Sequence, residues 1–82
     1  MRHNQKFDYE GLCAEAANAV AQYAKSQAAV ARELGVTRGA VSRALKEAGP
    51  TFSDLQRRII DHLTAYRIEP EPVMFRVVRK DK

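Results

Sequence analysis

The chain has 82 residues, 45% of them hydrophobic and 29% charged, and fourteen Lys and Arg against ten Asp and Glu give a formal net charge of +4. So short a chain is expected to form one domain over residues 1–82, which excludes large catalytic architectures. No apolar run reaches the roughly eighteen residues that span a bilayer, the N-terminal residues lack the apolar stretch of a signal peptide, and the single Cys13 cannot close an intrachain disulfide. A cytoplasmic protein stabilised by packing or by a partner is therefore expected.

In chain order, a first helix is expected to start after Asp8 as N-cap and to run to about Lys25, with Leu12, Ala16, Val20 and Tyr23 on one face. Cys13 lies one residue beyond that stripe and is expected to pack as a small hydrophobe rather than act as a nucleophile. Ser26 caps a short second helix with Val30, Ala31 and Leu34 inward, and Gly35 supplies the left-handed residue that ends it. Thr37 caps a third helix whose inward face is Val41, Ala44, Leu45 and Ala48, stopped by Gly49-Pro50.

A fourth helix is expected from Thr51 or Ser53, the latter with Gln56 as its capping-box partner. Leu55, Ile59, Leu63 and Tyr66 form its buried stripe, and Ile60 broadens it. After Glu69-Pro70-Glu71-Pro72 the pattern changes: Val73, Phe75 and Val77 alternate with Met74, Arg76 and Val78, a lone strand over about residues 72–79. No second strand is recognisable, so its unpaired backbone groups imply antiparallel pairing with a second copy, a homodimer through Val73, Phe75 and Val77. The expected fold class is mostly α: a four-helix domain whose C-terminal β-strand pairs antiparallel across a homodimer.

Positive charge is concentrated in the middle of the chain. Within residues 37–46, Arg38, Arg43 and Lys46 occur without a single acid, a patch suited to a polyanion, with a merely solvated helix face as the plain alternative.

The stretch from 27 to 46, QAAVARELGVTRGAVSRALK, resembles the helix-turn-helix motif of bacterial and phage repressors, here spanning residues 26–48. Ala31 is small where two helices would cross, Gly35 permits the positive φ of the turn, and Val36 and Val41 fill the angle between the helices. Leu34-Gly35-Val36-Thr37-Arg38 followed by Gly39-Ala40-Val41-Ser42 also resembles the motif of KorA-type plasmid repressors. The short length is similar to that of Cro-type phage repressors, in which a C-terminal strand can build the dimer.

The resemblance implies double-stranded DNA as partner, with the second helix of the motif in the major groove. It places Thr37, Arg38, Gly39, Ser42, Arg43 and Lys46 against DNA and gives Gln27 a phosphate contact. By their chemistry Arg38 and Arg43 can form bidentate bonds to guanine, Ser42 can reach a base edge or phosphate, and Lys46 suits the backbone. Arg43 leads for base reading. Gly39 either allows close approach to DNA or is simply tolerated in a first helical turn.

His3 and His62 are too far apart for a local metal motif, and Arg57 and Arg58 between Asp54 and Asp61 suggest ion pairs rather than an acid/base dyad. Arg76, Arg79, Lys80 and Lys82 form a basic tail suited to phosphates or to protecting a strand edge. No catalytic residue, metal, cofactor or small-molecule ligand is expected. The expected function is a sequence-specific DNA-binding transcriptional repressor, bacterial, plasmid- or phage-encoded, acting as a homodimer on a pseudo-palindromic operator. The alternatives are an antitoxin, an excisionase-like architectural protein, the DNA-binding piece of a recombinase, or a helical protein-interaction module without DNA binding.

Overall fold

Four helices and a three-stranded antiparallel sheet make up the protein, seen in a computed structural model that describes residues 3, 5–24, 26–71 and 74–80. The order is β1 (Lys6–Phe7), α1 (Tyr9–Tyr23), α2 (Gln27–Leu34), α3 (Arg38–Ala44), α4 (Pro50–Leu63), β2 (Tyr66–Glu71) and β3 (Met74–Arg79). The polar caps set the helix starts. Asp8 accepts from the Gly11 N–H, Ser26 from Ala29 and Thr37 from Ala40, each satisfying a first-turn donor that the helix itself cannot. α1 ends at Tyr23, short of the expected Lys25, which lies outside the described residues.

Gly35 has φ 70° and ends α2, while the Val36 N–H returns to the Ala31 carbonyl at 3.0 Å, closing the helix with a left-handed turn. Three residues then lead into α3. That helix stops at Ala44, well before the expected Gly49-Pro50; Leu45, half-buried, still packs against the core, whereas Ala48 is exposed rather than inward. The cause is a competing donor. Gln56 of α4 gives its amide N–H groups to the carbonyls of Ala44 and Glu47, which are no longer needed for further helical bonds. Gln56 is therefore not a capping-box residue, and Ser53 donates to the Pro50 carbonyl instead of acting as N-cap. Pro50 opens α4 at its first position, where the missing N–H is harmless, and Gly49 at φ 123° makes the approach.

The sheet order is β1-β3-β2, which corrects the expectation of a lone strand. β2 pairs with β3 from Tyr66↔Arg79 to Glu71↔Met74, and β1 covers the opposite edge at Lys6↔Arg76 and Phe7↔Phe75. The Val77 N–H continues that edge to the Gln5 carbonyl, and the Arg79 N–H donates to His3 Nδ1. β3 thus has neighbours on both sides within one chain. Phe75 and Val77 are buried in the protein's own core, so the argument for a homodimer through Val73, Phe75 and Val77 loses its premise; Val73 lies outside the described residues. Tyr66 belongs to β2 rather than to the stripe of α4, and Pro70 is accommodated because β2 is an edge strand.

One core joins all these elements: Phe7, Leu12, Ala16, Val20, Val30, Ala31, Val41, Ala44, Ile59, Ile60, Ile68, Phe75 and Val77. The Tyr9 ring meets Phe75 edge-on at 5.3 Å between centroids. Cys13 is buried beside the core with Sγ 3.5 Å from the Ala44 carbonyl, and that burial pushes its thiol pKa up. α4 braces α2 from below: Arg58 donates to the Leu34 carbonyl at 2.7 Å and His62 meets Glu33 at 2.7 Å. The outer sheet face is a charge ladder in which Arg76 pairs with Glu69 and Glu71, Arg67 with Glu69, and Lys6 with Glu71. No helix is long and apolar enough to cross a membrane among the described residues.

Candidate nucleic-acid interface

α3 is amphipathic by position. Val41 and Ala44 point into the core, whereas Arg38, Gly39 and Arg43 are exposed and Ser42 is half-buried. Thr37 is exposed immediately before the helix, and its hydroxyl is engaged as the cap of Ala40. Lys46 lies in the turn after the helix, its N–H bonded to the Arg43 carbonyl at 3.0 Å, and its side chain is exposed. Six of the seven residues expected to touch DNA therefore share one continuous surface. The seventh, Gln27, stands half-buried at the far end of α2, which at eight residues is about 12 Å from the turn, and it makes no hydrogen bond to the others.

The cations on this surface differ in their surroundings. The side chains of Arg38 and Lys46 have no hydrogen-bond or ion-pair partner among the described residues. Arg43 is held from two directions: Nε donates to Glu47 Oε2 at 3.1 Å, and Cζ lies 5.2 Å from the centroid of the Phe52 ring. Its side chain is still 65% exposed. Glu47 and Phe52 escaped the sequence reading. The four-residue spacing of Arg43 and Glu47 was a legible signal for an ion pair, whereas Phe52, three residues before Leu55 and seven before Ile59, lies on the apolar stripe of α4 and signals core packing rather than contact with an arginine.

Gly39 stands in open space, where an added methyl group would meet no heavy atom within 4 Å. The fold places no steric demand for glycine there. Two members of the basic tail are engaged by the protein itself: Lys80 reaches Asp61 at 3.3 Å and the Thr64 carbonyl at 3.1 Å, and Arg76 sits in the sheet ladder; Arg79 is exposed, and Lys82 lies outside the described residues. Asp54 pairs with Arg57 at 2.9 Å and Asp61 with Lys80 at 3.3 Å.

No family model, curated protein or solved structure matches the chain.

Proposed function

We propose that this protein is a sequence-specific DNA-binding repressor in which α2 and α3 act as a helix-turn-helix and α3 enters the major groove. One observation carries the reading: the polar side of α3 and its flanks projects outward, with two cations, Arg38 and Lys46, unpartnered among the described residues. A helix of about 10–12 Å diameter matches a groove about 12 Å wide, and the side chains it presents are those that pair with guanine edges and phosphates. Loss of these contacts to screening makes affinity fall steeply with salt.

A seven-residue helix spans about 10 Å and reads few base pairs. The proposal therefore includes two copies on a pseudo-palindromic operator, with their α3 helices about 34 Å apart, one turn of DNA. The contact between copies is not assigned to β3, whose edges are taken. Repression in this reading is by occupancy of the operator.

Selection from random duplexes at moderate salt tests the reading. An enriched sequence with two half-sites is the expected result, and recovery of unenriched DNA overturns it.

A further inference from the structure

We infer that Phe52 and Glu47 are positioning residues that set the Arg43 guanidinium for end-on recognition of one guanine, an inference that rests on the DNA-binding reading above. Arg43 leaves α3 on the flank nearest the start of α4. There the ring of Phe52 lies against the guanidinium, with Cζ 5.2 Å from the ring centroid. Glu47, four residues on and beyond the end of α3, takes the Nε–H at 3.1 Å. These contacts restrain different motions: the ring limits the tilt of the guanidinium plane and the carboxylate limits its rotation.

What remains free defines the recognition mode. Nε is occupied, and neither terminal nitrogen of Arg43 has a partner among the described residues. The two terminal N–H groups form the end of the fork, the pair that matches guanine N7 and O6 from the major groove. The side-on mode, which uses Nε, is blocked by Glu47. The carboxylate also disfavours a phosphate at the same place, because the phosphate would sit beside a like charge. Arg38 has neither kind of support. An unrestrained arginine loses more side-chain freedom on binding than one already held, so Arg43 is the base reader and Arg38 serves the backbone.

The test uses the full chain, the duplex enriched by selection, and duplexes substituted at each base pair. Arg43→Ala locates the base pair that Arg43 reads. Phe52→Leu and Glu47→Gln are expected to reduce discrimination at that same base pair three- to tenfold, with affinity for random duplex within twofold in Phe52→Leu and undiminished in Glu47→Gln, which removes a negative charge. Phe52→Trp, which keeps a ring face, is expected to retain discrimination. Glu47 is exposed, so its variant guards against a folding defect in Phe52→Leu. In the free protein, the Arg43 Nε–H resonance is expected to be protected from exchange and to lose protection in Glu47→Gln.

Unchanged discrimination in both Phe52→Leu and Glu47→Gln, at a base pair that Arg43→Ala relaxes, overturns the positioning role and leaves DNA binding standing. Arg43→Ala that relaxes no base pair overturns the assignment of Arg43 in the same way. Failure of the wild-type protein to enrich any duplex overturns the DNA-binding reading itself, and the Nε–H measurement then reports the clamp without DNA.

Discussion

Gln56 closes the C-terminal end of the helix that ends at Ala44: its Nε2 donates to the Ala44 carbonyl at 2.8 Å and to the Glu47 carbonyl at 2.9 Å, from a side chain with 0% exposure. An α4 residue thereby decides where α3 stops and fixes the turn that carries Lys46. Gln56→Leu removes both donors and strands carbonyls away from water, and a loss of about 1–3 kcal/mol is expected. Gln56→Glu at neutral pH sets an anion against two carbonyl oxygens and is expected to destabilise more. Urea unfolding of the two variants checks the order.

Gly39→Ala separates the needs of the fold from those of the surface. The position is exposed, helical and unobstructed, so alanine is expected to stabilise by up to about 1 kcal/mol. In the proposed DNA-binding reading glycine there allows close approach of DNA, and the same variant is then expected to bind the selected duplex more weakly. Thermal unfolding and a binding titration give the two signs; higher stability with unchanged affinity would remove Gly39 from the interface.

Phe75→Ala distinguishes an intrachain core residue from a dimer contact. The ring is buried among Phe7, Tyr9 and the α1 side of the sheet, so its loss is expected to cost about 3–5 kcal/mol. That cost should be the same at low and high protein concentration. A penalty that fades as concentration rises would return Phe75 to an interface between copies.

The sheet ladder makes stability sensitive to acid. The hydrogen bond from Arg67, together with the charges of Arg76 and Arg67 and against some desolvation, holds the Glu69 carboxyl below the usual carboxylate range. Because the folded value is the lower one, the stabilisation is present above the ordinary pKa of the unfolded chain and is lost as pH falls through the depressed value. Glu69→Gln is expected to flatten the acid limb of a plot of urea midpoint against pH. High salt should flatten it in the same direction, since the group is solvent-facing.

Much of the helical layer was legible because its signals are local. Asp8, Ser26 and Thr37 are caps three residues from the donors they satisfy, and Gly35 is the residue that takes a positive φ at low cost. The sheet was not legible for equally physical reasons. β1 has two residues, too few to show alternation, and β2 carries Glu69, Pro70 and Glu71, whose composition signals a turn although an edge strand accommodates it. The end of α3 depended on Gln56, a partner twelve residues away that no local pattern names. At the candidate interface the exposed residues followed from helical periodicity, while the support of Arg43 by Phe52 needed the packing of α4 against α3.

The central place of β3 also governs when the molecule can close. As the chain leaves the ribosome, all four helices and two of the three strands emerge ahead of the residues that join them, and Phe7 must wait for Phe75 across nearly the whole sequence. Contacts that distant delay tertiary assembly relative to the helices, which form locally. The apolar flank awaiting the sheet stays uncovered during that interval, and the newborn chain is then most open to chaperones and proteases.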